Sequence, residues 1–305
     1  MSSSFLLGPF REMVTMRNIP LKGALKDDQL DIIPNGGIWV QNGMISDLGD
    51  FDQLTQIHTK LPVKRIRQDL VAFPGMIDAH THLCFAGSRA MDFAERNAGT
   101  TYQEIAAKGG GIWSSVQHTR AANKKTLTHL LLKRMNRLIR QGVTTVEIKS
   151  GYGLDAKHEI KMLRAIRKAG KQHPIDVVAT CLSAHIIPKG FEGGESAYLD
   201  YILSEIMPTV QKDRLAERFD IFIEDHAFTA EPSTAYLKKL KSAGFDICVH
   251  GDQFTTGGSA VAIEIGALSV DHLEASTDKE IQALSKSNVI PMALPGASIG
   301  IGCPF

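Results

Sequence analysis

Cysteine is scarce in this chain of 305 residues, and its four cysteines lie far apart, at Cys84, Cys181, Cys248 and Cys303. No C-x-x-C pair is present, and the apolar run in the opening MSSSFLLGPF is too short for a secretory signal. This pattern argues against a disulfide framework. We therefore expect reduced thiols and a cytoplasmic protein.

Long apolar runs and an excess of charge of one sign are also missing. Nowhere does the sequence hold about 18 consecutive apolar residues, the length that spans a bilayer. The 34 Lys and Arg residues nearly balance the 33 Asp and Glu residues, so the net charge of +1 gives no electrostatic reason to expect nucleic-acid binding. No G-x-G-x-x-G or Walker pattern indicates a nucleotide site. These absences favour a protein that acts on a small molecule, without nucleic acid or membrane partners.

Short strand-like pieces and turn signals fill residues 1–68. The Asn42-Gly43 pair separates two apolar pieces and predicts a hairpin, because both central residues of a type I′ turn need positive φ. We expect this part of the chain to form a small β-sandwich-like domain.

Apolar runs alternate with amphipathic segments in residues 69–305. Strand followed by helix, repeated this often, predicts a parallel sheet and favours a (β/α)8 TIM-like barrel over an open doubly wound sheet. Hydrophobic residues make up 43% of the chain, enough to fill a sizeable core. We count seven strand candidates, so the last unit of the barrel is expected to be missing. The candidates are 71–77, 143–148, 176–182, 219–223, 245–249, 267–270 and 289–294.

Histidines follow five of these seven runs. In barrel enzymes the carboxyl ends of the strands converge on the site of chemistry. His80 and His82 are two residues apart on a strand and therefore share a face. Together with His250 and His272 they predict an open catalytic metal site with three or four protein ligands and a water. His185, taken alone, is equally well explained as a hydrogen-bonded core histidine.

Several motifs show a resemblance to a known family. P-G-x-I-D-x-H-T-H on the first barrel strand, a histidine after the fifth and D-H-L on the sixth resemble the metal-dependent amidohydrolase superfamily. Within it, the chain is similar to the imidazolonepropionase family. That similarity lies in F-A-G-S-R (85–89), Y-Q-E-I-A-A-K-G-G-G-I (102–112), T-T-V-E-I-K-S-G-Y-G-L (144–154), L-S-A-H (182–185), H-G-D-Q-F (250–254) and L-S-V-D-H-L-E (268–274).

The resemblance implies a reaction and a set of roles. The reaction is hydrolysis of the cyclic amide of 4-imidazolone-5-propanoate to N-formimidoyl-L-glutamate, a ring opening in histidine degradation. Dimers are usual in the family, so a homodimer is expected. One Zn²⁺ or Fe³⁺ would be held by His80, His82, His250 and an aspartate after the eighth strand, substrate would contact Arg89, Tyr152, His185 and Gln253, and His272 would lie beside the metal-bound water.

These roles are chemically reasonable for a cyclic amide with a propionate tail. Arg89 could clamp the carboxylate through two parallel N–H bonds, and Tyr152 could add a hydroxyl donor. His185 or His272 could stabilise the oxyanion or carry a proton to the leaving nitrogen. Outside the motifs, a surface salt bridge for Arg89 and a packed aromatic for Tyr152 would be the simpler interpretations.

The sequence departs from the family in having no eighth barrel unit, which would carry the metal-binding aspartate. We therefore expect a truncated copy of a longer enzyme. Two competing hypotheses remain. One is another hydrolase of the superfamily, a deaminase or a dihydroorotase-like enzyme, and the other is a catalytically silent protein that retains the fold.

Overall fold

The computed structural model describes residues 4–20, 23–100, 104 and 109–301. Cys303 and most of the 102–112 motif therefore lie outside the described residues. The chain divides into two compact units, Met1–Met76 and Ile77–Phe305. None of the helices in the described part of the chain is both long and apolar enough to cross a bilayer.

The first unit is built on one five-stranded sheet. A central strand pairs antiparallel with one neighbour and parallel with two short strands. The described residues of this unit also form the helix Phe51–Ile57 and the 3-10 turn Asp27–Gln29, and Leu6 and Phe51 are fully buried. The strands are β1 (Ser4–Val14), β2 (Ile32–Gln41), β3 (Met44–Asp50), β4 (Val63–Arg65) and β5 (Val71–Ala72), in the order β3-β2-β1-β4 with β5 beside β1.

The hairpin predicted at Asn42-Gly43 is confirmed. It joins β2 to β3, which pair antiparallel up to the contact of Gln41 with Met44. Asn42 has φ +54° and Gly43 has φ +80°, the sign that a type I′ turn requires at both positions.

The second unit contains a parallel sheet of seven strands, as the alternation of apolar runs predicted. The strands are β6 (Met76–Asp78), β7 (Val143–Lys149), β8 (Asp176–Ala184), β9 (Arg218–Ile223), β10 (Asp246–Gly251), β11 (Ser269–His272) and β12 (Ile290–Ala293), paired in chain order. The helices described are Ala90–Asn97, Ile112–Ala121, Lys124–Arg140, Ala156–Gly170, Gly194–Tyr201, Met207–Asp213, Ala230–Ser242, Gly258–Ile265, Asp278–Ser285 and Pro295–Ile301, with a π-helical turn at Ile202–Ile206.

The prediction of one strand over 71–77 was wrong. Val71–Ala72 pairs with β1 in the first sheet, whereas Met76–Asp78 is the first strand of the second sheet. Pro74 and Gly75 lie between them. Proline has no N–H for a sheet ladder and glycine weakens a strand, so the apolar run breaks there and serves two sheets.

The second sheet is curled. β6 and β11 are five positions apart in the strand order, which in a flat sheet corresponds to roughly 24 Å. Yet Nδ1 of His80, two residues after β6, lies 2.7 Å from Oδ2 of Asp271 on β11. The strand ends therefore turn towards a common interior.

Amphipathic helices bury one face in the core of this unit. In Ala156–Gly170, Ile160, Leu163 and Ile166 recur at helical spacing and are all buried. Asn123 begins the helix Lys124–Arg140, and its side chain accepts a hydrogen bond from the backbone N–H of Thr126. Such capping satisfies a donor that has no partner inside the helix.

Candidate metal centre

Four imidazoles meet in the interior of the second unit, two from the segment after β6 and one each from β10 and β11. His80, His250 and His272 each offer a ligand nitrogen, and these three atoms lie within 4.8 Å of one another. Nε2 of His82 lies 3.1 Å from Nε2 of His250. Nitrogens bonded to one zinc ion at about 2.0–2.1 Å are themselves about 3.0–3.4 Å apart, so this spacing fits two ligands of one ion.

Carboxylates set the orientation of two of these rings. Nδ1–H of His250 donates to Asp220 at 3.0 Å, and Nδ1–H of His80 donates to Oδ2 of Asp271 at 2.7 Å. With Nδ1 occupied in this way, Nε2 of each neutral ring keeps its lone pair for a metal. The sequence analysis included Asp271 in a motif without giving it a role, and it did not identify Asp220.

Two further ring nitrogens in the cluster make no hydrogen bond to the described residues, although one of them, Nδ1 of His272, lies 3.8 Å from Oε1 of Glu274. Nδ1 of His82 and Nδ1 of His272 are buried and have no hydrogen-bond partner among the described residues. Buried polar atoms are rarely left in this state, and an ion or water that satisfies them is a common explanation. The donor set, four imidazoles with carboxylates behind two of them, therefore fits a divalent or trivalent metal.

Burial keeps the histidines neutral. It lowers the pKa of His82 and of His250 well below the usual value, and the neighbouring histidines add to the effect. Burial likewise lowers the pKa of His185 to about 4. A neutral imidazole is the form that binds metals.

A buried ion cluster lies beside the histidines. Nζ of Lys149 is 2.7 Å from Oε1 of Glu147 and 2.7 Å from Oδ2 of Asp220. Burial alone would lower the pKa of Lys149, but Asp220, Glu147 and Asp271 together raise it above the usual value. Glu147 and Lys149 share one face of β7, and two charged residues two apart in an apolar strand are the sequence signal that could have revealed them.

A cavity of about 600 Å³ opens onto this cluster. All the residues predicted to contact substrate line it, and so do three of the four clustered histidines. The predicted residues in its wall are His82, Arg89, Tyr152, His185, His250, Gln253 and His272. His80 lies just behind, with its ring centre 4.6 Å from that of His250.

For Arg89 the sequence left open a substrate contact and a salt bridge, and its position in the structure is compatible with both. It lines the cavity, and its Nε–H also donates to Oδ2 of Asp92 at 3.0 Å, with the Arg89 side chain 39% exposed. The same oxygen of Asp92 accepts the backbone N–H of Gly111 at 2.8 Å. This salt bridge fixes the guanidinium on the cavity wall.

Tyr152 and His185 form another part of the wall. Their ring centres are 5.5 Å apart, and the His185 ring stacks on His82 at 5.2 Å. Nδ1–H of His185 donates to the carbonyl oxygen of Gly151 at 3.0 Å, so its Nε2 carries the lone pair of the neutral ring.

Backbone strain marks the end of β11. His272 has φ +91° and the next residue, Leu273, has φ +74°. Residues with a side chain rarely adopt this region, which costs about 1–3 kcal/mol each and is found most often at functional sites.

Comparisons with known proteins point to one family, although no family model matches the chain. The chain is 40% identical over 291 residues to imidazolonepropionase of Symbiobacterium thermophilum, covering 94% of this chain and 68% of that protein. It is 44% identical over 267 residues to imidazolonepropionase of Shewanella baltica, covering 87% of this chain and 65% of that protein. The chain thus spans about two thirds of the length of these curated relatives.

Solved structures share the fold at much lower identity. E. coli guanine deaminase aligns with a TM-score of 0.68 at 13% identity, over 100% of this chain and 69% of that chain. Atrazine chlorohydrolase from Arthrobacter aurescens TC1, complexed with zinc, aligns with a TM-score of 0.65 at 13% identity, over 98% of this chain and 67% of that chain. The resemblance drawn from the motifs is confirmed: the chain belongs to the imidazolonepropionase family.

Proposed function

We propose that the protein hydrolyses the cyclic amide of 4-imidazolone-5-propanoate to N-formimidoyl-L-glutamate, the ring-opening step of histidine degradation. The observation that carries this proposal is the cavity in which a histidine cluster and Arg89 occur together in a chain 40–44% identical to imidazolonepropionases. We further propose that the seven parallel strands are units of a (β/α)8 barrel in the hydrolase domain. The boundary expected after residue 68 is moved to Met76, because β5 pairs with β1 and so belongs to the small β domain. A cytoplasmic homodimer is expected.

The proposed metal ligands are His80, His82 and His250, with one Zn²⁺ or Fe³⁺ per chain. The spacing of the His82 and His250 nitrogens and the carboxylates behind His80 and His250 support this set. His272, whose ligand nitrogen lies near those of His80 and His250, is proposed to lie beside the reacting water. When bound, the ion would lower the pKa of a water towards about 7 and polarise the ring carbonyl.

Arg89 is proposed to bind the propionate tail, with Tyr152 and Gln253 orienting the ring. A bidentate pair of a guanidinium with a carboxylate fixes both position and angle, and the salt bridge with Asp92 already holds Arg89 in the wall. Holding the substrate in one pose beside the water makes the attack on the ring carbonyl effectively unimolecular and so lowers its entropic barrier.

The proton roles divide between two histidines. The hydrogen bond from Nδ1–H of His185 to Gly151 leaves Nε2 as an acceptor, which favours a role in receiving a hydrogen bond from substrate or water. A neutral ring in this tautomer has no second N–H to offer an oxyanion. His272, whose Nδ1 makes no hydrogen bond among the described residues and lies 3.8 Å from Oε1 of Glu274, is therefore the better candidate for the oxyanion contact and the proton shuttle.

Turnover of imidazolone propionate by purified, metal-loaded protein tests the proposal directly. We expect loss of substrate absorbance and formation of formimidoylglutamate, and no measurable turnover after His80→Ala. Metal bound at full stoichiometry with no turnover would favour the silent protein.

Arg89→Met distinguishes this substrate from those of other hydrolases in the superfamily. A substrate with a carboxylate tail should show a KM raised at least tenfold, because the tail loses a charge-assisted bidentate pair. A substrate without that tail would leave KM unchanged. Release of ammonia in place of ring opening would favour a deaminase.

A further inference from the structure

We propose that Lys149 is a positioning residue of the metal centre: its buried ammonium holds the two aspartates that orient His250 and His80. This inference rests on the proposed metal site and adds to it a residue that touches no ligand itself.

The ammonium of Lys149 is enclosed by carboxylates from three strands. Its side chain is 1% exposed at the end of β7. Nζ lies 2.7 Å from Oε1 of Glu147 on the same strand, 2.7 Å from Oδ2 of Asp220 on β9 and 3.7 Å from Oδ2 of Asp271 on β11. β7, β9 and β11 are alternate strands of the sheet, and inward side chains of alternate strands form a layer in a barrel interior.

Each aspartate that contacts the ammonium also contacts a histidine, Asp271 through the same oxygen and Asp220 through both of its oxygens. Oδ2 of Asp271 accepts Nδ1–H of His80 at 2.7 Å. Nδ1–H of His250 donates to Oδ1 of Asp220 at 3.0 Å and lies equally close to Oδ2. One cation therefore fixes two carboxylates, and each carboxylate fixes one ring. The two rings come from opposite parts of the sheet, after β6 and in β10, yet share this single support.

Glu147 connects the cluster to the His-x-His segment as well. Its Oε2 accepts the backbone N–H of Thr81 at 3.3 Å. Thr81 separates His80 from His82, so the ion cluster contacts the segment that carries two of the proposed ligands.

A cation is required here because three carboxylates are buried side by side. Glu147 is 2% exposed, and Asp220 and Asp271 are fully buried. Buried like charges repel strongly, and removing one partner of a buried ion pair leaves an uncompensated charge. Without the ammonium, the aspartates should move apart or admit water, and the imidazoles would follow them.

The test is Lys149→Met, with Zn²⁺ affinity measured by competition with a chelating dye and Co²⁺ coordination followed by its visible absorption. Loss of residues that orient ligands typically weakens metal binding 10–100-fold, and we expect a loss in that range together with a changed Co²⁺ spectrum. Wild-type affinity and spectrum in Lys149→Met would overturn the inference.

Lys161→Met is the matched control for a general loss of stability. Nζ of Lys161 donates to three backbone carbonyls, of Thr119, Arg120 and Ala122, at 2.7–3.0 Å, and touches none of the clustered carboxylates. We expect Lys161→Met to lower the melting temperature and to keep wild-type metal affinity. An equal loss of affinity in both variants would assign Lys149 a merely structural role and overturn the inference.

A double variant keeps the inference testable if Lys149→Met alone folds poorly. Glu147→Gln removes one of the three carboxylates, so the double variant Lys149→Met with Glu147→Gln buries less uncompensated charge. Its Zn²⁺ affinity should be at least tenfold below that of Glu147→Gln alone, and equal affinities would overturn the inference.

His80→Ala separates this inference from the proposed function. Metal binding that is unchanged in His80→Ala would overturn the proposed site and this inference with it. Metal binding that is lost in His80→Ala but retained in Lys149→Met would overturn the inference alone.

Discussion

Single buried carboxylates shape the loops that border the cavity. Glu224 accepts the backbone N–H groups of Gln253, Phe254 and Thr255 at 2.8–3.0 Å. Asp252 accepts those of Gly257 and Ser259 at 3.0 and 3.1 Å. Loop amides that would otherwise need water are satisfied inside the protein, so the loop after β10 has one preferred path.

Glu159 has the same role for the S-G-Y-G-L segment. Its carboxylate is fully buried and accepts the backbone N–H groups of Gly151, Gly153 and Leu154, with distances of 2.6–3.2 Å. Tyr152 lies between the first two of these donors. Burial raises the pKa of Glu159, and these hydrogen bonds oppose the rise.

Glu159→Ala should therefore loosen this segment. Three buried donors would lose their acceptor, each at a cost of about 1–3 kcal/mol. We expect a lower melting temperature and faster hydrogen exchange at residues 151–154, measured by mass spectrometry. Glu159→Gln, which keeps one carbonyl oxygen, should show a smaller change, and unaltered exchange in Glu159→Ala would contradict this role.

At the scale of elements, one position of the β2–β3 hairpin requires glycine because of its backbone conformation and not because of close packing. Gly43 has φ +80°, and a Cβ there would meet nothing within 4 Å. Gly43→Ala should lower the free energy of unfolding by about 1 kcal/mol, because an L-residue is disfavoured in this region.

Gly49→Ala is the control for the Gly43 prediction. Gly49 lies in β3, where a Cβ also meets nothing within 4 Å and φ is not positive. Urea denaturation of both variants should therefore show a loss for Gly43→Ala and none for Gly49→Ala, and equal effects would contradict the conformational explanation.

The helix Asp278–Ser285 provides a pH-dependent contribution to stability. The side chain and then the backbone N–H of Thr277 donate to the carboxylate of Glu280 and lower its pKa. A carboxyl group with a lowered folded-state pKa stabilises the fold above its unfolded pKa of about 4.3, and this contribution is lost as the pH falls through the folded value.

The comparison with Glu280→Gln tests this contribution. We expect the difference in free energy of unfolding between wild type and Glu280→Gln to be larger at pH 7 than at pH 3, measured by urea denaturation. A difference that does not change between these pH values would contradict the capping role.

For the whole molecule, the three described cysteines report whether the core is intact. Cys84, Cys181 and Cys248 are buried and unpaired. Burial raises the pKa of Cys181 and of Cys248 to about 12, and that of Cys84 even higher above its usual value. Because the thiolate is the reactive form, these side chains should be inert at pH 8.

The Cys303→Ser variant makes this prediction measurable. In the folded state, we expect almost no reaction with a thiol reagent at pH 8, and in urea we expect three thiols per chain. Rapid labelling of any of the three without denaturant would contradict the buried positions.

Local patterns predicted the strands and the gathering of histidines, because a period of two and the order of elements are properties of nearby residues. They missed the ion cluster and the supporting carboxylates. Asp220 looks ordinary in sequence, and the D-H-L motif contains Asp271 without indicating its role. The roles of both depend on partners that are distant in sequence, such as Lys149, 71 positions from Asp220. The break at Pro74-Gly75 was overlooked because the hydrophobic run around it continues.

The pair formed by His80 and Asp271 joins residues separated by 191 positions in the chain. During synthesis, a nascent polypeptide has to reach residue 271 before this contact can exist at all. Loop closure over such a span is slow compared with local helix formation. Metal capture at the proposed site would thus be a late event in biogenesis, and it would report completed assembly.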